Sequence, residues 1–176
     1  MKVVILAGGK GSRLSEYTTS IPKPMVKVGN VPIIRRIIDI YSKYGHNDFL
    51  IASGYKSKII ENYFKKNKKK MSHNNIKVIF TGKESMTGGR VKRLKKHLKA
   101  ERFLMTYGDG LSNVDLNKLL KFHIKSKNLV TLTAVRPPAR FGGIKILGNK
   151  VKYFKEKSSL DEGWINGGFF VMEPEI

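Results

Sequence analysis

The sequence contains no cysteine, few acidic residues and no long hydrophobic run. Without cysteine, the chain has neither disulfide bonds nor thiolate ligands for a metal ion. Its hydrophobic runs fall far short of the roughly 20 apolar residues that a membrane-spanning helix needs. Residues 1–9 also lack the layout of a secretory signal peptide. These absences predict a cytoplasmic protein that has no membrane partner.

The shortage of acidic residues gives the chain a strongly positive charge. There are 35 Lys and Arg residues against 13 Asp and Glu residues, for a net charge of +22. Such a charge is one signature of nucleic-acid binding. However, 27 of the basic residues are lysine and 8 are arginine, whereas proteins that read base edges rely on arginine. We therefore expect no specific nucleic-acid partner, and nucleic-acid binding driven by charge alone stays open as an alternative.

The 176 residues are enough for one domain with a hydrophobic core. Up to residue 126, apolar runs of strand length alternate with amphipathic helical patterns. The predicted strands are residues 2–8, 48–53, 76–80 and 102–107, and the predicted helices are 31–44, 56–66, 88–99 and 115–126. This alternation predicts a Rossmann-like α/β fold, a three-layer sandwich with a mostly parallel central sheet. The last third contains only predicted strands, at 129–135, 144–147, 151–155 and 168–172, so we expect antiparallel additions at one edge.

A glycine-rich segment follows the first predicted strand, with the sequence ILAGGKGSRLSEYTTSIPKPM at residues 5–25. A dinucleotide-binding fingerprint would need a glycine where Leu14 stands, and a helix directly afterwards. A P-loop would need Ser or Thr after its lysine, but Lys10 is followed by Gly11. Two interpretations remain from the residues alone. The segment is either a glycine-rich turn or a backbone cradle for phosphates, completed by the cations of Arg13 and Lys23.

A second glycine-flanked segment follows the fourth predicted strand. In parallel sheets, ligands bind beyond the carboxyl ends of the strands. Residues 8–13 and 108–110 both occupy such ends, so we expect them to face one crevice. Asp109 lies between Gly108 and Gly110. From the residues alone it is either an ordinary turn aspartate or a ligand for a hard cation such as Mg²⁺.

Two motifs at fixed spacing resemble a known family. LAGGKGSRL at 6–14, followed by PKPM at 22–25, resembles the signature of the sugar-1-phosphate nucleotidylyltransferases. Further segments resemble the glucose-1-phosphate cytidylyltransferase branch of this family: SMTGGRVKRL (85–94), TYGDGLSNVDL (106–116), FHIKSK (122–127), PPARFGG (137–143), FKEK (154–157) and INGGFFVMEPEI (165–176). The resemblance covers essentially the whole chain. It implies the nucleotide-diphospho-sugar transferase fold, and a reaction of CTP with α-D-glucose 1-phosphate that yields CDP-glucose and pyrophosphate.

The resemblance also implies roles for individual residues. Arg13 and Lys23 would be the catalytic cations, which hold the triphosphate and stabilise the charge on the leaving pyrophosphate. Asp109 would be the ligand of an Mg²⁺ cofactor. The nucleotide-binding residues would be Leu6, Ala7, Gly8, Gly9, Gly11, Ser12, Arg13, Lys23, Thr87, Gly88, Arg90, Gly108 and Asp109. The sugar-phosphate-binding residues would be Gly142, Glu156, Lys157, Asn166 and Gly167.

The chain departs from the family pattern in its length. Members usually continue beyond the segment that ends here at Ile176, and they add a second metal-binding aspartate. We therefore expect a single nucleotidyltransferase domain over residues 1–176, with the C-terminal part of the family fold missing. Two alternatives stay open: a member that uses dTTP, UTP or another sugar phosphate, and a truncated, inactive nucleotide-binding fragment. The expected partners are the small-molecule substrates, and a homo-oligomer is compatible with the sequence.

Overall fold

The computed structural model describes residues 1–11, 18–137, 143–155 and 163–176. Its strands are β1 Lys2–Ala7, β2 Lys27–Val28, β3 Val31–Pro32, β4 Asp48–Ser53, β5 Asn75–Phe80, β6 Phe103–Tyr107, β7 Val130–Val135, β8 Gly143–Leu147, β9 Lys150–Lys155 and β10 Ile165–Met172. Its α-helices are α1 Ile33–Lys43, α2 Ser57–Lys66, α3 Thr87–Arg93, α4 Lys95–Leu98 and α5 Leu116–Ser126. Short 3-10 turns lie at Lys23–Met25 and Lys69–Met71. None of the helices in these ranges has the length and apolar character that crossing a bilayer requires.

Six strands form the central sheet, in the order β5-β4-β1-β6-β10-β7. The first four strands in this order run parallel. Strand β10 runs antiparallel to both of its neighbours, β6 and β7. Strands β8 and β9 pair with each other as a separate antiparallel hairpin. This architecture confirms the predicted fold class, including the antiparallel strands contributed by the last third of the chain.

Strand β1 lies at the centre of the sheet and is buried on both faces. Val3 and Ile5 pack in a hydrophobic cluster with residues of α1, α2 and α5. Val4, between them, packs in a second cluster with residues of α3 and α4. Successive strand residues point to opposite faces of a sheet, so the two clusters lie on opposite sides of it. The result is the predicted three-layer arrangement of helices, sheet and helices.

Two predicted helices and one predicted strand differ from the structure by more than one residue at an end. Strand β10 begins at Ile165 rather than at residue 168. Helix α1 begins at Ile33 rather than at residue 31, because Val31–Pro32 pairs with β2 in a small hairpin. Pro32 has an extended backbone, with φ −58° and ψ 145°, that does not continue a helix. The helical pattern at 88–99 folds as two helices, α3 and α4, which are divided at Leu94, where the backbone has φ −90° and ψ −4°.

Helix α5 begins and ends at recognisable signals. The Asp115 carboxylate accepts a hydrogen bond from the backbone N–H of Lys118 at 3.0 Å, and aspartate is a favoured N-cap residue. After Ser126, Lys127 adopts a left-handed backbone conformation with φ 53°, which ends the helix. The cap fixes where the helix starts, directly after the segment that follows β6.

A polar network joins α5 to the end of β10. Glu173 Oε1 accepts hydrogen bonds from Arg102 Nε at 2.6 Å and from His123 Nε2 at 3.0 Å. The other ring nitrogen of His123 lies 2.7 Å from Thr131 Oγ1, and His123 is almost completely buried. The hydrogen bond from the Arg102 guanidinium, and to a smaller extent that from His123, holds the pKa of Glu173 below its ordinary value of 4.5. The network therefore stabilises the folded state while Glu173 is ionised.

We expect Glu173→Gln to lower the unfolding temperature at pH 7 by a few degrees, because the charge that Arg102 binds is lost. The pKa of Glu173 is lower in the folded state, so this stabilisation is complete above the unfolded-state value of about 4.5. It is lost as the pH falls through the folded-state pKa, so the difference between the two proteins should shrink in acid. Calorimetry between pH 7 and pH 3 measures it. The exposed Glu175 provides the control, since Glu175→Gln should change little at any pH.

Candidate active site

A cavity of about 380 Å³ opens at the carboxyl ends of β1 and β6. These two strands are parallel neighbours, so the segments that follow them lie side by side. The volume falls in the range of small-molecule binding sites. The described residues that line the cavity are Leu6, Ala7, Gly8, Gly9, Gly11, Lys23, Pro24, Ser85, Met86, Thr87, Arg90, Tyr107, Gly108 and Asp109.

Gly11 and Gly108 are two of the lining positions at which a side chain would clash. Gly11 has φ +68°, and a Cβ atom there would lie 2.9 Å from Thr18 Cγ2. Its carbonyl accepts a hydrogen bond from Thr18 Oγ1 at 3.1 Å. A Cβ atom on Gly108 would lie 2.9 Å from both the Leu6 carbonyl oxygen and Pro24 Cγ. Without side chains at these positions, the glycine loop, residues 8–11, and the end of β6 can lie close to their neighbours along the cavity.

Lys23 and Asp109 form an ion pair in the cavity, between Lys23 Nζ and Asp109 Oδ2. Lys23 lies in a tight turn in which Met25 N donates to the Pro22 carbonyl at 2.8 Å. The flanking prolines, Pro22 and Pro24, restrict the backbone of this turn. About a third of each charged side chain remains exposed, 28% for Lys23 and 32% for Asp109. A cation and an anion are thus both accessible to a ligand that enters the cavity.

Arg90 lies in the wall of the cavity but is only 4% exposed. Its guanidinium donates to backbone carbonyls, among them those of Gly8 and Gly82. Burial lowers the pKa of Arg90 from its ordinary value, and the nearby Arg93 lowers it further. The guanidinium nevertheless stays protonated, because arginine does not lose its proton in proteins. A buried positive charge therefore lies directly behind the glycine loop.

Most of the residues predicted to bind nucleotide line this cavity: Leu6, Ala7, Gly8, Gly9, Gly11, Lys23, Thr87, Arg90, Gly108 and Asp109. Gly88 instead borders a neighbouring apolar groove together with Val91 and Phe103. Ser12 and Arg13, and the predicted sugar-phosphate residues Gly142, Glu156 and Lys157, lie outside the described residues.

The two remaining sugar-phosphate predictions lie at the start of β10. Asn166 Nδ2 donates to the hydroxyl of Tyr107 at 3.1 Å, and Tyr107 lines the cavity. Asn166 thus contacts a residue of the cavity wall, Tyr107, without being one of the described lining residues itself. Gly167 packs against β7, where a Cβ atom would lie 2.8 Å from Val135 Cγ1. Its close packing shows why a glycine is needed there, independently of any ligand.

Four lining residues were not predicted as site residues: Pro24, Ser85, Met86 and Tyr107. Each lies within two residues of a predicted residue in the chain, inside the motifs quoted above. Tyr107 could have been found, because it is the last residue of a parallel strand and precedes Gly108. Ser85 and Met86 carried no such signal, since their approach to the cavity depends on how the segment after β5 folds back.

The sequence matches the protein-family model described as nucleotidyl transferase over residues 2–176. The chain belongs to this family. This nucleotidyl transferase is 42% identical over its whole length to the glucose-1-phosphate cytidylyltransferase of Salmonella typhimurium, and it covers 76% of that protein. It is 39% identical, again with 76% coverage, to a probable glucose-1-phosphate cytidylyltransferase of Bacillus subtilis. The solved structure of HddC from Yersinia pseudotuberculosis complexed with GMP-PN superposes with a TM-score of 0.72, at 27% identity over 99% of this chain and 77% of HddC.

The carboxylate in the cavity of the nucleotidyl transferase is suited to a hard cation. Mg²⁺ commonly takes one or two carboxylates and fills its other positions with water and substrate phosphates. Asp109 supplies one partly exposed carboxylate beside backbone that phosphates can approach. Within the described ranges, no group of three or more His, Cys, Asp or Glu residues is placed to hold a metal ion. The donor set at Asp109 fits an ion that shares its coordination with a bound nucleotide.

Gly8→Ala should destabilise the nucleotidyl transferase, because the new Cβ atom would lie 2.1 Å from Arg90 Nη1. Overpacking of this kind costs about 1–3 kcal/mol of unfolding free energy. Gly9→Ala is the matched control, since none of the described atoms lies within 4 Å of its Cβ position. Urea denaturation of both variants measures the difference. Equal stability of the two variants would contradict the close packing of Arg90 behind Gly8.

Proposed function

We propose that this nucleotidyl transferase condenses CTP with α-D-glucose 1-phosphate to form CDP-glucose and pyrophosphate, as one cytoplasmic domain over residues 1–176. The observation that carries the proposal is the Lys23–Asp109 pair, which lines one cavity together with the glycines that follow β1 and β6. The 42% identity to the cytidylyltransferase of Salmonella typhimurium supports the choice of base and sugar.

In the proposed reaction, a phosphate oxygen of glucose 1-phosphate attacks the α-phosphorus of CTP. The bond between the α-phosphorus and the oxygen that bridges the α- and β-phosphates breaks in line with the attack, and that oxygen leaves as part of pyrophosphate. No covalent bond to the protein forms, so catalysis depends on the position of the two phosphates and on neutralisation of their charge. A cavity lined by glycines and by the cation of Lys23 suits both requirements.

Lys23 and Asp109 have complementary roles in this proposal. The backbone at Gly8, Gly9 and Gly11 lets the triphosphate approach closely. Lys23 exchanges its contact with Asp109 for the phosphates and stabilises the charge that develops on pyrophosphate. Asp109 would hold Mg²⁺, which when bound supplies charge neutralisation at the phosphates. Arg13 is proposed as the second cation on the residues of its motif.

The sugar phosphate is proposed to bind on the Tyr107 side of the cavity. The Asn166 amide lies there, held by its hydrogen bond to the Tyr107 hydroxyl. Asn166 Oδ1 also accepts from Gly168 N at 2.9 Å, which fixes the orientation of the side chain. Gly142, Glu156, Lys157 and Gly167 remain predicted partners of the sugar phosphate from their motifs.

The test is to incubate the protein with glucose 1-phosphate, MgCl₂ and each of CTP, UTP, dTTP and GTP, and to measure pyrophosphate and nucleotide sugar. We expect turnover with CTP to exceed turnover with the other nucleotides and to stop when EDTA removes the metal ion. A preference for UTP or dTTP would reject the cytidylyl assignment. Calorimetric binding of CTP without any turnover would indicate an inactive nucleotide-binding fragment.

A guanylyltransferase is the second candidate. The observation that favours it is the likeness to HddC, whose solved complex contains GMP-PN, at 27% identity. The GTP reaction in the same experiment separates the two candidates. Pyrophosphate release that is faster with GTP than with CTP would favour the guanylyl reaction.

A further inference from the structure

The Arg90 guanidinium connects the ends of three parallel strands. Arg90 Nη2 donates to the carbonyl of Gly8, after β1, at 2.9 Å. Arg90 Nη1 donates to Gly82 O at 2.7 Å and to Thr81 Oγ1 at 2.9 Å, both after β5. Nη1 also lies 3.3 Å from the carbonyl oxygen of Ser53, the last residue of β4. We call these contacts the Arg90 clamp.

Two glycines make room for the clamp. A Cβ atom on Gly8 would lie 2.2 Å from Arg90 Cζ, and one on Gly54 would lie 2.6 Å from Arg90 Nη1. Each of these two positions needs a residue without a side chain. Gly8 lines the cavity, whereas Gly54 is not among the described residues that line it. The Gly8 carbonyl also accepts a hydrogen bond from Tyr55 N at 3.1 Å. The backbone on both sides is therefore fitted around the guanidinium.

The clamp determines the orientation of the peptide bond that begins the glycine loop. A trans peptide is planar, so its N–H points opposite to its C=O. Because Arg90 holds the Gly8 carbonyl, the N–H of Gly9 is directed away from the guanidinium. Buried charges are stable only when their donors are satisfied, and here backbone carbonyls satisfy them. Both terminal nitrogens of the Arg90 guanidinium, Nη1 and Nη2, are thus engaged with the protein.

We propose that Arg90 is a positioning residue: it holds the Gly8 carbonyl and the turn at 81–83 so that the glycine loop keeps the conformation that accepts a nucleotide triphosphate. It acts through the loop backbone and does not contact the phosphates. The effect on nucleotide binding rests on the proposed function. The effect of Arg90 on the conformation of the loop does not depend on any ligand.

Thr81→Val tests the clamp from outside the cavity. Thr81 is buried, accepts from Arg90 Nη1, and donates to the Ser53 carbonyl at 2.8 Å. Valine preserves the shape and removes the hydroxyl, whereas Thr81→Ser keeps it. We expect Thr81→Val to weaken CTP binding about tenfold, the equivalent of one hydrogen bond to a charged group. Thr81→Ser should stay close to the wild type, with calorimetry on the full chain as the measurement.

Hydrogen exchange provides a readout that needs no nucleotide. Loss of the clamp should speed exchange at the amides of residues 9–11 in Thr81→Val, and the hydroxyl of Thr81→Ser should restore slow exchange. Glu84→Gln removes an exposed ion pair with Lys10, which joins the same two segments at the surface. Exposed pairs contribute little, so Glu84→Gln should leave both exchange and CTP affinity unchanged.

Arg90→Lys provides a second variant should Thr81→Val fail to fold, because it keeps the charge and loses the planar fork. We expect faster exchange at residues 9–11 and weaker CTP binding from it as well.

A lower unfolding temperature with unchanged exchange and unchanged CTP affinity would overturn the proposal. So would a loss of CTP affinity in Arg90→Lys that is absent in a folded Thr81→Val, because it would indicate direct phosphate contact. A wild type that binds no CTP would reject the proposed function, while the exchange rates would still decide the positioning role.

Discussion

Asp109→Asn is expected to lower the rate of pyrophosphate release from CTP by about 100-fold or more, with little change in the unfolding temperature. Asparagine keeps the size of the side chain and removes the charge that would bind Mg²⁺. The ion pair with Lys23 is about one-third exposed at both ends, so its loss should cost little stability. Higher MgCl₂ concentrations should partly restore activity. Enzyme kinetics and thermal unfolding of the same preparation measure both effects.

Asp115→Asn is the matched control for this variant. Asp115 follows the same strand, and its carboxylate caps α5 by accepting from Lys118 N. Asparagine caps helices as well as aspartate does, so the control should retain both activity and stability. If Asp109→Asn lowered stability as severely as activity, Asp109 would be a structural residue of its turn and the proposed metal site would be wrong.

Lys23→Met is expected to lower kcat/KM for CTP by about 100-fold, because methionine retains an unbranched apolar side chain without the ammonium group. A second effect has the opposite sign. The Asp109 carboxylate loses its competing cation, so Mg²⁺ alone should bind several-fold more tightly to Lys23→Met than to the wild type. Calorimetric titration with MgCl₂ in the absence of nucleotide measures this gain.

Lys27→Met is the control for general charge effects, because Lys27 is an exposed lysine on β2, close to Lys23 in the chain. It removes the same charge from a protein of net charge +22 and should leave kcat/KM within about twofold. If both lysine variants lost activity equally, Lys23 would act only through long-range attraction. An unchanged Mg²⁺ affinity in Lys23→Met would contradict the exchange of partners between Lys23 and Asp109.

The sequence predicts the elements of this fold well where burial is periodic. Helix α1 buries Ile34, Ile37, Ile38 and Tyr41, which is the spacing of one helical face. The order of strands is less accessible, because β10 enters between β6 and β7 and no local pattern identifies those partners. The division at Leu94 was also missed, since the apolar spacing of Val91, Leu94 and Leu98 continues across both helices.

The candidate site was predictable to the extent that it follows strand ends. The glycine loop and Asp109 come directly after β1 and β6, and the parallel pairing of these strands brings them together. The Arg90 clamp was not predictable in this way. Arg90 belongs to α3, and its bond to the Gly8 carbonyl spans 82 residues of the chain. Such a contact depends on the packing of a helix against two loops, which residue spacing does not encode.

The direction of β10 has a consequence for how substrate preference can change. Parallel strands deliver only the segments that follow them to the ligand-binding edge, whereas an antiparallel neighbour delivers the segment that precedes it. Asn166, at the start of β10, therefore meets Tyr107, at the end of β6. The chain before β10 can vary without altering the connections that carry Lys23 and Asp109. The two halves of the cavity can thus diverge independently, one at the proposed sugar-phosphate site and the other at the proposed triphosphate site.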